Sequence, residues 1–484
     1  MSSSSLKQEA AKGLFWGAFS NGIQQIVGVV FGIWLARLLN ADDYGLVGML
    51  AIFMSMGNII INSGFVVALT NKKDVTQRDY DAVFWFSVFV GLILYIILFF
   101  SAPLIADFYG RPELVNLSRV LFAGIFISGL GVAPYAVLFK NLMTKQQSIV
   151  DVISLLVSFV VSVTLALYGY AYWAIVIQRL MQYTMDTLLR FIFASWKPSF
   201  NIDLSPIKQL FPFSSKLFFA SVFTEINNNI FSVLLGRLYN AQQVGYYSTG
   251  QKWMNIGTQF TGGMIGYVTQ PILVQVNNDK SRQLGILRKL IRFGAFISFP
   301  LLLGLAFVGE EFVALALGEK WLPSIPFLQL FCIWGSVRFL WNLYVGLICT
   351  KGKSNLYLYG TLSMGLLQLL SVAIASPWGI FPMVISYIAC SFVGLLVWQY
   401  YVHKLIGLRL WDVLKDILPY LGVTLFCFFV AWLLTKNIVN LYGLIIAKVA
   451  ISGILYTLIL KYSKSVIFQE CVAFLMNRLN NRKK

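Results

Sequence analysis

Fourteen apolar runs follow one another along this chain, each long enough to cross a bilayer as a helix. They leave almost no architecture open except a bundle of membrane helices. The runs cover residues 12–39, 44–70, 80–103, 114–139, 148–168, 171–194, 212–239, 244–275, 291–317, 325–350, 355–375, 378–402, 415–435 and 441–462. A hydrocarbon core of about 30 Å takes roughly 20 apolar residues in helical form. Barrel strands would be about ten residues long and would alternate with period two, which these runs do not. Composition agrees, since only 12% of the residues are charged, about half the share of a soluble domain. The expected fold is all-α and integral to the membrane, with fourteen transmembrane helices. Gly28, Gly32, Pro134, Pro271 and Pro300 inside the runs suit membrane helices, which accept kinks and close packing. The opening "MSSSSLKQEAAKGLFWGAF" is read as a retained signal anchor, because the apolar run behind its two lysines is long and no small-residue cleavage site follows.

Several chemistries are disfavoured. The five cysteines (Cys332, Cys349, Cys390, Cys427, Cys471) are scattered, with no CxxC pair, so no metal site or disulfide framework is expected. The single histidine, His403, sits in a polar linker and makes a Ser–His–Asp triad or a histidine metal centre implausible. No phosphate-binding loop is present, which argues against ATP-driven work by this chain alone. The net charge of +18 is spread over short loops without a nucleic-acid motif.

Lysine and arginine set the expected orientation. Polar segments taken alternately from the N-terminus hold 25 basic residues in one set and 3 (Arg111, Lys320, Lys436) in the other. The positive-inside rule places the richer set, and both termini, in the cytoplasm. That coat of charge would face anionic headgroups.

The chain also repeats itself. Residues 35–46 read "LARLLNADDYGL" and residues 235–246 read "LGRLYNAQQVGY". Leu35, Arg37, Leu38, Asn40, Ala41 and Gly45 recur at Leu235, Arg237, Leu238, Asn240, Ala241 and Gly245. A looser echo links "LYGYAYWAIVI" at 167–177 with "ASPWGIFPMVI" at 375–385. Six helices separate the copies, so the halves share an orientation, as parallel repeats about a pseudo-two-fold axis along the membrane normal. The expected layout is a cytoplasmic N-terminus (1–11), a six-helix bundle (12–194), a cytoplasmic linker (195–211), a second six-helix bundle (212–402), a linker with helices 13 and 14 (403–462), and a basic cytoplasmic tail (463–484). Residues 40–43 and 240–243 are expected as external turns. Arg37 and Arg237, in the last turn before each, either complement a helix dipole and snorkel to the surface, or line the outer mouth of a cleft.

Longer stretches carry a family resemblance. They are "LKQEAAKGLFWGAF" (6–19), "LARLLNADDYGLVGML" (35–50), "NSGFVVALTNKKDVTQRDYDAVF" (62–84), "FYGRPEL" (108–114), "GYYSTGQKW" (245–253), "QPILVQVNNDK" (270–280) and "GEKWLPSIPFLQLF" (318–331). In these the chain resembles the polysaccharide-exporting branch of the multidrug/oligosaccharidyl-lipid/polysaccharide superfamily. It is similar to flippases for colanic acid and teichuronic acid repeat units. Ala41 stands where the family often has Pro, and Gln242 and Gln243 replace the acids of the first corner. The resemblance implies two six-helix bundles that open alternately inward and outward. The implied cargo is an undecaprenyl-pyrophosphate-linked oligosaccharide in the bacterial cytoplasmic membrane, with polysaccharide polymerase and glycosyltransferase machinery as partners.

That task needs cations at depth, and intramembrane charge costs roughly 2.5–3.5 kcal/mol per residue on insertion scales. Arg179, Lys252 and Arg338 are the candidate pyrophosphate ligands, and Glu225 is a candidate H⁺ or Na⁺ coupling site. Asn21, Gln24 and Gln25, then Asn227, Asn228 and Asn229, put polar groups at matching depth in the two halves; Asn58, Asn62 and Gln259 add to them. Of these Asn21, Gln25 and Asn228 join Arg37 and Arg237 as candidate cargo contacts. The bland readings are an Arg179–Asp186 pair, an Arg338–Glu225 pair, a snorkelling Lys252 and asparagines acting as interhelical glue. Two other functions are weighed. A small-molecule cation antiporter would more often stop at twelve helices, and a membrane polymerase or ligase would need larger external loops. No cofactor is expected.

Overall fold

The computed structural model describes residues 3–62, 65–72, 74–200, 202–275, 279–351 and 353–481, and no strand occurs among them. They form two compact units, Met1–Ser248 and Thr249–Lys484. Among the described residues ten helices are long and apolar enough to cross a membrane, or eleven if a pair bent by 41° at Gly131 counts as one. The expected runs 171–194, 212–239 and 244–275 also fall on helices, but these are more polar.

The first unit begins with α1 (Ser3–Leu38), so residues assigned to a cytoplasmic N-terminus continue the first helix. The second run is broken into α2 (Ala41–Met49), α3 (Ala51–Asn62) and α4 (Phe65–Asn71). Next comes α5 (Gln77–Tyr109), which ends where Gly110 turns left-handed at φ 65°, a conformation that suits a residue without Cβ. α6 (Leu114–Leu130) and α7 (Val132–Lys140) are the bent pair, with Pro134 in the first turn of α7. α8 (Thr144–Leu167) and α9 (Tyr172–Phe193) pack against each other and onto α1 and α6 respectively. α10 (Ser205–Leu238) packs on α2, α3, α4 and α5, and α11 (Ala241–Gln275) starts in this unit and continues into the next.

The segment before α10 is tied down and shorter than the linker expected at 195–211, because α10 starts at Ser205 with a proline in its first turn. Ser199 Oγ donates to Asp81 at 2.6 Å, Gln77 donates to the Lys197 carbonyl at 2.8 Å, and the Trp85 indole donates to the Ser199 carbonyl at 2.8 Å. Arg78 pairs with Asp203 beside them.

The second unit holds α12 (Lys280–Ser298), a π-helical turn at Phe299–Leu303 around Pro300, α13 (Gly304–Phe307) and α14 (Gly309–Phe312). It continues with α15 (Ile325–Thr350), α16 (Ser354–Ala375), α17 (Ile380–Ile406), α18 (Leu410–Thr435), α19 (Leu441–Tyr462) and α20 (Val466–Asn481). Its core joins Leu343 and Leu347 of α15, Trp398 and Val402 of α17 and Tyr420 of α18. Outward-facing Phe426, Phe429, Ile446, Val449 and Ile454 make a lipid-facing surface, as a membrane solvent requires of the periphery.

α18 and α19 are held to this unit by charge as well as packing. Arg288 grips Asp416 through two hydrogen bonds of 2.7 and 3.0 Å. Lys448 of α19 pairs with buried Glu311 of α14, and the lysine side chain is itself only 11% exposed. A buried pair is weak evidence for net stability, but breaking one partner leaves an uncompensated charge. Lys448→Met is therefore expected to destabilise the protein by about 3–5 kcal/mol, read as a lower melting temperature in detergent. Adding Glu311→Leu should recover most of that loss, and a double variant as unstable as the single one would contradict the pairing.

Candidate functional site

The two copies of the repeated corner lie together in the first unit. α1 and α10 end alike: the Leu39 amide donates to the Leu35 carbonyl at 2.8 Å, and the Tyr239 amide to the Leu235 carbonyl at 2.9 Å. The next helices open alike, with Tyr44 donating to the Asn40 carbonyl and Val244 to the Asn240 carbonyl at 3.4 and 3.3 Å. The turns are tighter than the expected 40–43 and 240–243, since Ala41 and Ala241 already begin α2 and α11. The side-chain caps differ. Asp43 accepts the Asn40 amide at 2.8 Å, whereas Asn240 Oδ1 accepts the Gln243 amide at 2.9 Å. With a glutamine in place of the acid, the asparagine still satisfies an orphan amide of the first turn.

The reason for writing the corner twice is a reciprocal contact. A Cβ built on Gly45 would fall on the carbonyl of Ala241, and one built on Gly245 would fall on the carbonyl of Ala41. Each glycine leaves the place of its side chain to the other copy's backbone. Residue i meets j and j meets i, which is the signature of a local two-fold contact. The identities at 41/241 and 45/245 are the residues that make it. Around it Gly48 faces Val244 and Ser248, and Gly236 faces Met49 and the Tyr109 ring. Leu35, Leu235, Ala41, Ala241 and Val244 are buried.

A polar latch flanks the contact. Arg111 donates to both oxygens of Asp42 at 2.9 and 2.7 Å and to Glu113 at 3.3 Å. Asp42 above all raises the Arg111 pKa, so the guanidinium stays charged. The Tyr109 hydroxyl donates to the Met49 carbonyl at 3.2 Å. Arg37 and Arg237 are exposed in the last turns of their helices, and the Arg237 guanidinium lies 5.3 Å from the Phe108 ring centre.

The residues expected at depth are placed as follows. Glu225 is half-buried and accepts from Asn229 Nδ2 at 2.7 Å, and that amide also reaches Ser55 of α3 at 3.4 Å. Asn21 is exposed and Gln25 half-buried on α1. The side chains of Asn227 and Asn228 lie outside the described residues. Arg179 is exposed on α9. The pair considered for it with Asp186 does not form, because Asp186 sits 4.0 Å from Arg190 instead. Seven helical residues separate Arg179 from Asp186 by about 10.5 Å along the axis, whereas i and i+4 are neighbours. In the second unit Lys252 is half-buried on α11, and half-buried Arg338 donates to Asn255 Oδ1 at 3.1 Å. Among the described residues no group of His, Cys, Asp and Glu could hold a metal ion. The Arg111–Asp42 latch and the Lys448–Glu311 pair carry no local signal in the sequence, since their partners lie 69 and 137 residues apart.

Comparison with known proteins agrees with this architecture. The family model described as "Polysaccharide biosynthesis protein" matches residues 34–326. The teichuronic acid biosynthesis protein TuaB of Bacillus subtilis (strain 168) is 27% identical over 409 residues, covering 84% of this chain and 85% of its own. The lipopolysaccharide biosynthesis protein WzxC of Escherichia coli (strain K12) is 23% identical over 358 residues, covering 73% and 72%. Among solved structures, the lipid II flippase MurJ in an inward closed conformation aligns with a TM-score of 0.73 at 14% identity, over 94% of this chain and 99% of that one. An inward-facing multidrug transporter of the MATE family aligns at 0.62 and 14%, over 79% and 95%. At these identities the structures show a shared fold.

Proposed function

This chain belongs to the polysaccharide biosynthesis protein family, and from that premise we propose that it is a flippase for undecaprenyl-pyrophosphate-linked oligosaccharide repeat units. It moves them from the cytoplasmic to the outer leaflet of the bacterial cytoplasmic membrane by alternating access, and it makes or breaks no covalent bond. The observation that carries this reading is the reciprocal corner, in which Gly45 meets Ala241 and Gly245 meets Ala41. Such a contact is made of close van der Waals approach, which is weak pair by pair. It can part and re-form without stranding a buried charge. The names of the relatives, one from teichuronic acid and one from lipopolysaccharide biosynthesis, support a glycan cargo.

In the proposed arrangement fourteen helices cross the membrane with both termini inside. Residues 12–194 and 212–402 form the two repeat bundles, and the corner closes the outer side. Arg179, Lys252 and Arg338 take the pyrophosphate. Asn21, Gln25 and Asn228 contact the cargo nearby, and Arg37 and Arg237 do so at the outer mouth. Glu225 couples H⁺ or Na⁺, with Asn229 holding its carboxylate in the absence of the ion. Glycosyltransferases supply the cargo and a polymerase consumes it.

The direct test is reconstitution of the purified chain with a fluorescent undecaprenyl-pyrophosphoryl oligosaccharide. Protein-dependent loss of protection from a membrane-impermeant quencher is expected. No rate above protein-free vesicles, with correctly inserted protein, would overturn the proposal. The orientation has its own outcome. In intact cells Ser376→Cys should react with an impermeant maleimide added outside, and Ser463→Cys should react only after the membrane is opened. The reverse pattern would turn the chain over.

A further inference from the structure

One face of α9 carries Tyr183, Asp186 and Arg190, spaced to line up along the helix. Together with Asn58 and Asn62 of α3 and Tyr135 of α7 they line a cavity of ≈ 250 Å³ wholly inside the first unit. Its groups are half used. Asn58 donates to the Tyr183 hydroxyl at 3.2 Å and accepts from Ser128 at 2.9 Å, which fixes that wall. The Arg190 guanidinium lies 4.8 Å from the Tyr135 ring centre and only 4.0 Å from Asp186, too far for a hydrogen bond. Asp186 Oδ1 is buried with no hydrogen-bond partner, and fully buried Ser154 lies against the same carboxylate. Asp151 of α8 is close enough to act electrostatically on both Asp186 and Arg190.

Buried polar groups left open in a native structure ask for a partner. A phosphate is a poor one, because Asp151 and Asp186 outnumber the single guanidinium. A bare ion is also a poor fit. At ≈ 250 Å³ the cavity has room for several waters, and its walls include two tyrosine rings. A sugar ring fits both the size and the chemistry. Its hydroxyls donate to a carboxylate and accept from a guanidinium or a phenol, and its C–H faces lie on flat aromatic walls, as in pockets with few convergent polar groups among apolar ones.

We propose that this cavity is a sugar subsite, which takes one sugar residue of the lipid-linked cargo while the pyrophosphate is held elsewhere. The inference rests on the flippase reading and adds that the glycan is selected inside the first unit by Asp186, Arg190 and Tyr183.

Native mass spectrometry of the full chain in detergent tests it. The probes are undecaprenyl pyrophosphate, the same lipid carrying a single glucose, galactose, glucuronic acid or N-acetylhexosamine, and phosphatidylglycerol as control. The parental chain should hold at least one glycosylated probe tenfold or more tighter than undecaprenyl pyrophosphate. That ratio should fall to near one in both Asp186→Asn and Tyr183→Phe. A preference that survives both substitutions overturns the subsite. So does loss of all undecaprenyl probes in both variants, which would mark the two residues as fold residues. If the parental chain binds the bare and glycosylated lipids equally, the subsite fails and the flippase reading stands. If it binds none of them better than phosphatidylglycerol, the flippase reading fails first.

Discussion

Gly45→Val should open the corner. The new side chain begins where the Ala241 carbonyl already stands, so it cannot be housed by turning a rotamer; α2 must move away from the first turn of α11. Overpacking of this kind costs about 1–3 kcal/mol. Charged against the closed corner alone, that shifts a two-state equilibrium roughly 5- to 150-fold toward the open one. The backbone nature of the clash puts the expectation near the upper end. Val244, buried beside Gly48, reports the change. As Val244→Cys it should resist an impermeant maleimide in the otherwise parental chain and react readily when Gly45 is valine. Gly245→Val should act as strongly, because the contact is reciprocal, and transport should fall in both through failure to re-close. Unchanged labelling with parental transport in either variant would remove the corner from the mechanism. The Arg111–Asp42 latch should matter less, since partly exposed ion pairs contribute about 0–1 kcal/mol.

The contrast between the corner and the rest shows what was legible in the sequence. Six identities at a constant offset announced that the corner mattered, and helix periodicity put it between two helices. The cause stayed hidden, because a small residue in a membrane helix has many reasons to be small. In the fold, Gly45 and Gly245 each make room for a carbonyl of the other copy. The apolar runs announced helices almost everywhere the structure has them, but not their breaks at Leu50 and Gly131, which depend on packing and not on hydropathy. Asp186 is legible as an acid near a cation on α9, and helical rise selects Arg190 over Arg179 as that cation. Lys448 and Glu311 lie 137 residues apart, and neither run carries a mark of the other.

Arg338→Met should abolish flipping while leaving the fold intact or firmer. Arg338 lies in α15, half-buried, and its NH1 donates to a neutral partner, Asn255, at 3.1 Å. No carboxylate forms an ion pair with it among the described residues. Insertion scales set the cost of such a cation near the helix centre at roughly 2.5–3.5 kcal/mol, and the neutral groups beside it, Asn255 and Tyr387, supply no opposite charge to offset it. A purely structural role would predict that removal of the charge damages stability. A cargo role predicts the opposite sign in the two readouts, because methionine keeps the length and loses the desolvation cost. Removing one partner of a desolvated charge pair costs about 3–5 kcal/mol, so flipping should drop on the order of 10²–10⁴-fold. Arg338→Lys keeps the charge but not the planar fork that serves Asn255 and a phosphate together, and it should recover only part of the rate. Parental flipping by Arg338→Met would exclude this residue from the cargo path, while a falling melting temperature alongside lost flipping would return Arg338 to the fold.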